Sequence, residues 1–299
     1  MRSPRGIAAG IFVIGLIVGT IADSRATRIS RPDEGYWILA ADFHVHAFAG
    51  DGALPPWSLR REAERAGLDV FAITNHNQAF TARIGGWLSR RSAGPLVLVG
   101  EEITGRNYHL IAVGIERAID WDQSALAAVS AVHAQGGIAI AAHPMRRYWN
   151  AFDERVLALL DGVEAAHPAI HADEISRREI EAFYHRARAH KKTLAAIGSS
   201  DFHAIAPVGM CRTYVLAREN TEAGVIDAVR HGRTVAVDAH GSAYGDPEDV
   251  RRVVAHRARN AQPASSSASP WRRFAVTCVW LGLLGMVILN NAPFRSARR

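Results

Sequence analysis

Short, apolar, β-rich runs recur along the chain, and most of them have a histidine, aspartate or glutamate within two residues of one end. The runs are Leu39–His44, Asp69–Thr74, Leu96–Val99, His109–Val113, Ile138–Ala142, Gly162–Ala165, Thr193–Ile197, Thr213–Leu216 and Thr234–Val237. Amphipathic helical stretches lie between them at Trp57–Ala66, Gln78–Arg90, Asp122–Ala134, Asp153–Leu160, Ala172–His190 and Thr221–Arg230. This alternation predicts a mostly parallel sheet wrapped by helices, with too many units for a hairpin-built fold, and hence an α/β barrel. Polar residues at the ends of parallel strands stand where barrel enzymes collect their catalytic side chains.

The length of 299 residues suits one barrel or two small domains, and 48% hydrophobic residues can fill a substantial core. With only Cys211 and Cys278, a disulfide framework or a cysteine zinc site is unsupported, whereas 14 histidines make histidine the enriched metal-capable residue. The formal charge of +6 is dispersed and has no accompanying aromatic pattern, so nucleic acid enters only as a substrate. No protein partner is implied.

In Asp42-Phe43-His44-Val45-His46 the two histidines are at i and i+2 on a strand, so both imidazoles project to one face and can share an ion. Asp51-Gly52 offers a carboxylate on the following loop. His76 follows the second strand in Thr74-Asn75-His76-Asn77, and Gly100-Glu101-Glu102-Ile103-Thr104 follows the third with a carboxylate able to bridge two ions. His109 begins one strand, His143 closes another in Ala142-His143-Pro144, and Gly198-Ser199-Ser200-Asp201-Phe202-His203 repeats the i, i+2 geometry. Each motif alone is weak. Their shared placement at strand ends points to a metal-dependent hydrolase. Glu164-Ala165-Ala166-His167 also follows a strand, and His167 could reach the barrel mouth to bind substrate.

The order DFHVHAFAGDG, TNHN, GEEIT, AHP, GSSDFH resembles the PHP (polymerase and histidinol phosphatase) superfamily over about Leu39 to Val237, and more loosely its carbamate-hydrolase-like branch. The resemblance implies a distorted (β/α)7 TIM-like barrel with two or three divalent ions, zinc, manganese or iron, at the strand C-termini. Matched by motif, His44, His46, Asp51, His76, Glu102, His143, Asp201 and His203 are the implied ligands, and His109 fits a further histidine of three-metal members. Glu102 is chosen over Glu101 because the family pattern reads Gly-x-Glu, an apolar residue, then Ser or Thr. Asn75 departs from the family's usual Asp, a change expected to retune the centre.

Such ions make a water acidic enough to attack at neutral pH and clamp phosphoryl oxygens. Asp201 and His203 are the candidates to move its proton. Arg106, Arg146 and Arg147 flank the motifs and would bind phosphate oxygens, favouring a small phosphorylated substrate or nucleotide. The expected activity is thus a membrane-anchored phosphoesterase. Carboxyl-ester or carbamate hydrolysis and a non-catalytic, metal-stabilised binding module are the alternatives.

The ends of the chain carry the membrane expectation. Residues 1–35 read as a basic N-terminus with a signal anchor, apolar over 7–22, and 36–240 as the metallohydrolase domain. Residues 241–270, ending in a Ser- and Ala-rich stretch, read as a flexible tether, and 271–299 as a transmembrane segment, apolar over 274–289, with a basic tail. The lipid bilayer is then a partner, with the catalytic domain expected outside the cytoplasm.

Overall fold

The structure, a computed structural model, describes residues 4–23, 32–33, 35–91, 93–204, 206–260 and 270–291; in the two terminal helices the side chains described are 4–18 and 274–288. Two compact units result, one of residues 28–260 and one joining the two chain ends.

The larger unit is built on ten strands in the order β10-β9-β8-β1-β2-β3-β4-β5-β6-β7. They are β1 (Trp37–Val45), β2 (Val70–Ile73), β3 (Leu96–Thr104), β4 (His109–Val113), β5 (Ile138–Ala141), β6 (Gly162–Ala166), β7 (Ala195–Gly198), β8 (Arg212–Ala217), β9 (Thr234–Val237) and β10 (Ala243–Gly245). β1-β2-β3 and β5-β6-β7 pair in parallel. β4 runs antiparallel to both its neighbours, as do β8 and β9 to theirs. The fold is therefore a mixed α/β near-barrel and departs from a regular β/α alternation. β3 is longer than its apolar run and turns straight back into β4, with no helix between them. Because β4 runs backward, its first residue, His109, emerges at the same end as the last residues of its neighbours.

At the ends of the order, the sheet curls toward closure. Thr213 of β8 donates its hydroxyl to the Gly198 carbonyl of β7 and accepts the Gly198 N–H, both at 2.9 Å. The centre of the curl is filled from the strands by Leu39, Phe43, Leu98, Ile111, Ile140 and Ile197, all fully buried.

Helices cover the outside: α2 (Pro56–Arg65), α3 (Phe80–Ser89), α4 (Ala125–Ala134), α5 (Glu154–Leu159), α6 (Ala169–Ala172), α7 (Glu174–His190), α8 (Glu222–Arg230) and α9 (Pro247–Asn260). Their starts are written locally, since Ser124, Asp153, Asp173 and Thr221 each accept a backbone N–H of the first turn. The face of α7 buries Phe183 completely, with its ring 5.3 Å from that of Phe152 and 6.0 Å from Trp149. Phe183→Ala is expected to cost about 3–5 kcal/mol, the usual range for emptying an aromatic core site, read as a lowered denaturation midpoint.

Two expectations are corrected. From 241 the chain was expected to be a tether, but it carries β10 and the 14-residue helix α9; only the Ser- and Ala-rich stretch 261–269 lies outside the described residues. At the chain ends, α1 (Pro4–Asp23) packs on α10 (Pro270–Asn291) through glycines, and a Cβ added at Gly15 or Gly282 would meet backbone atoms of Val279 or Phe12 within 2.8 Å. Among the described residues no helix is long and apolar enough to cross a membrane, a span that takes about 20 apolar residues. The expected transmembrane segments and membrane location are thereby overturned. The expected basic tail and the ends of both flanks lie outside the described residues.

Candidate metal centre

Strand alternation fixes which carboxylate of β3 faces inward. Glu102 points into the mouth and is 1% exposed, while Glu101 points the other way and accepts the Ile119 N–H at 2.6 Å. Burial pushes Glu101 up to about 7. Five histidines surround Glu102. His44 and His46 place Nε2 at 3.2 and 3.4 Å from its Oε2, and His76 places Nδ1 at 2.9 Å. His109 Nδ1 and His143 Nε2 lie 2.6 and 3.1 Å from Oε1.

Asp201 approaches from the turn after β7, with Oδ1 at 3.2 Å from His44 Nε2 and 3.3 Å from His46 Nε2. Asp51 stands on the outer side, 2.9 Å from His46, 3.2 Å from His76 and 3.0 Å from His203. All nine residues expected from the motifs are thus brought to one mouth. Their donor atoms fall into overlapping groups that fit within 4.8 Å: His46, Asp51, His76 and His203; His44, His46 and Glu102; His44, His143 and Asp201; and Glu102, His109 and His143.

The chemistry of this donor set fits cations. His44 Nδ1–H donates to Glu164 at 3.0 Å, which leaves the Nε2 lone pair facing inward, and that nitrogen lies 3.0 Å from Nε2 of His46. Two facing ring nitrogens beside two carboxylates suit a shared cation, a proton in the metal-free protein or a metal ion in its place. Oε2 of Glu102 and Oδ1 of Asp201 are buried and without a hydrogen-bond partner.

The electrostatics agree. Burial opposes charge on His44, but the carboxylates of Asp201, Glu102 and Glu164 outweigh it and hold the imidazolium well above its usual range. Burial likewise pushes Glu102 and Asp201 up, and the surrounding histidines overcome it and hold both carboxylates well below the usual range.

Backbone strain is concentrated in the same place. His143 and Asp201 have φ of 23° and 48°, conformations that cost non-glycine residues about 1–3 kcal/mol and persist where the surroundings enforce them. Gly52 is needed for close approach, since a Cβ there would lie 2.0 Å from the carbonyl oxygen of His46.

Asn75 has a definite task. Fully buried, it accepts the Ala47 N–H at 2.7 Å and donates to the Ala47 carbonyl at 3.0 Å, holding the loop that leads to Asp51. An aspartate there could not donate. Asn75→Ala is expected to lower stability by about 1–3 kcal/mol, because it orphans the buried Ala47 N–H and leaves the Ala47 carbonyl with the Gly50 N–H alone; thermal denaturation of the metal-free protein measures it.

The arginines are placed differently from the ligands. Arg106 is exposed and forked onto Asp122 at 2.8 and 3.2 Å. Arg146 and Arg147 are exposed on a 3₁₀ turn, lying over the rings of Trp149 and Tyr148. Tyr148 does reach the cluster, 4.9 Å from the His109 ring, so Arg147 stands one ring removed.

Two acids escaped the motif reading. Glu164 is fully buried in β6 and, besides holding His44, accepts the His143 N–H at 2.5 Å. Asp42, also fully buried, accepts the N–H groups of His44, Ser200 and Gly209, tying β1 to the turn that bears Asp201. The available signal was a lone carboxylate inside an apolar strand.

The PHP-associated family model matches residues 185–234. An uncharacterized protein of Methanocaldococcus jannaschii is 30% identical over 151 residues, covering 46% of this chain and 86% of that protein. A solved two-domain protein from Bacteroides vulgatus, containing a predicted PHP-like metal-dependent phosphoesterase, superposes with a TM-score of 0.59 at 20% identity, over 78% of this chain and 74% of that one. The PHP-associated match is thus confined to residues 185–234, and the solved structure shares the fold. The carbamate-hydrolase-like branch is not singled out by these matches. The convergent donor groups are arranged so that they could hold metal ions.

Proposed function

We propose that this protein is a PHP-like phosphoesterase that hydrolyses a small phosphorylated molecule with metal-activated water. The observation that carries the reading is the pair of inward-facing Nε2 atoms of His44 and His46, 3.0 Å apart and flanked by the orphaned oxygens of Glu102 and Asp201. His44, His46, Glu102 and Asp201 would hold one ion, Glu102, His109 and His143 a second, and Asp51, His76 and His203 a third. Bound there, divalent ions supply an acidic water and neutralise the phosphoryl oxygens.

The chain's own groups do the rest. Glu164 fixes the tautomer and orientation of His44, and Asp51 does so for His46. His203 is the most open histidine of the set, at 37% side-chain exposure, and its Nε2, 3.0 Å from Asp51, would either hold the third ion or, released from it, pass a proton to solvent. A neutral ester or carbamate remains the second reading, favoured by the outward pairing of Arg106 with Asp122, which removes one cation from the mouth.

Chromogenic phosphomonoester, phosphodiester and carboxyl-ester substrates, offered with zinc, manganese or iron and again after chelation, separate the readings. The expected result is metal-dependent release from a phosphoester; turnover of the carboxyl ester alone would favour the second reading. His76→Ala is expected to abolish turnover while leaving the circular dichroism spectrum unchanged, and full activity in that variant would remove His76 from the centre.

A further inference from the structure

His167, at the end of β6, is 6% exposed and lies against the cluster, its ring 5.3 Å from that of His143 and 6.4 Å from that of His44. The turn through Pro168 brings the Ala169 N–H back to the ring, where it donates to Nδ1 at 3.1 Å. A nitrogen that accepts carries a lone pair, so the neutral ring bears its hydrogen on Nε2. This is the opposite tautomer to His44, whose Nδ1–H is taken by Glu164.

Nε2 of His167 is buried and has no hydrogen-bond partner. Asp201 Oδ2 is 3.3 Å away but lacks the alignment of a hydrogen bond. Although His44, Glu164 and His167 offer donor atoms within 4.8 Å of one another, a protonated Nε2 cannot ligate an ion. The nine residues assigned above also fill their groups without it. What remains is a buried N–H, aimed into the mouth, whose acceptor is missing, and such a donor is costly to leave unmatched.

We propose that His167 is a substrate-binding residue whose Nε2–H donates a hydrogen bond to an oxygen of the anionic group held at the metal centre. The inference rests on the phosphoesterase reading and names a contact within it. No metal ligand is added; a directional donor is, beside His143 and His44.

Three measurements on the zinc-loaded full-length protein test it. Nitrogen-15 spectra of the histidine rings, with His167 assigned by its disappearance in His167→Gln, should show Nε2 protonated and Nδ1 bare. His167→Ala should keep its full zinc content by elemental analysis. Its affinity for inorganic phosphate, measured by calorimetry, should fall roughly 10- to 100-fold, the range for a hydrogen bond to a charged group, with partial recovery in His167→Asn.

Loss of zinc from His167→Ala, a bare Nε2, or unchanged phosphate affinity would each overturn the assignment. Should His167→Ala fail to fold, the wild-type tautomer and the His167→Asn affinity decide it alone. If zinc-loaded wild type binds no phosphate and hydrolyses no phosphoester, the phosphoesterase reading fails and takes the anion contact with it. Unchanged affinity in a variant of a phosphate-binding wild type removes His167 only.

Discussion

Glu102→Gln is expected to abolish turnover and to release metal, a larger loss than the about 10- to 100-fold typical when only an outer partner of a ligand is removed. The reason is its position: both oxygens of one buried carboxylate are shared among His44, His46, His76, His109 and His143. Glutamine keeps the shape but loses the charge that balances the ions. Without metal, the same change leaves clustered imidazoles with one carboxylate fewer to face. Elemental analysis and turnover of the variant, measured side by side, check the prediction. A variant that binds its full complement of metal and remains active would show that Glu102 is dispensable. Glu101→Gln is the matching control, since Glu101 faces Ile119 and should leave metal content unchanged.

The second large effect is an inversion of pH dependence on metal loading. In the metal-free protein His44 and His46 have raised pKa values. Their stabilisation is fully present below the unfolded histidine value of about 6.5 and is lost as pH rises through the folded values. Glu102, Glu164, Asp51 and Asp201 are depressed. Their contribution is present above the unfolded carboxylate values of about 4 and is lost as pH falls through the folded ones. Metal-free protein should therefore be most stable between about pH 4 and 6.5, with its Tm declining above that window. Bound ions need unprotonated imidazoles, so metal affinity, and with it the Tm of loaded protein, should climb over the same interval. Thermal melts from pH 5 to 9, with and without zinc, should cross. Metal-free curves that rise throughout would contradict the charge arrangement described for His44.

Much of this is legible in the sequence, for a physical reason. A strand that ends in a histidine or aspartate advertises itself twice, by its apolar run and by the polar group that run delivers to the mouth. The reversed β4 was less legible, because β3 carries its pairing beyond Val99 through the Gly-Glu-Glu-Ile-Thr segment, where charged residues mask strand character. Glu164 and Asp42 were passed over because each sits inside a strand rather than at its end, with no spacing to mark it. The terminal helices were misjudged for another reason. An apolar run between arginines reads the same whether it faces lipid or a second helix, and the glycine contacts between α1 and α10 are visible only in three dimensions.

The curled sheet has one last implication. The donors come from residues 44 to 203, spread over most of the strands, and they meet near where β1 and β7 are drawn together by Asp42 and by the bridge between Val45 and Phe202. Ions bound there act as a clasp on a ring that backbone pairing alone leaves ajar. Amide hydrogens of β1, β7 and β8 should then exchange most slowly when the clasp is fastened, so that the reactive centre doubles as the keystone of its own scaffold.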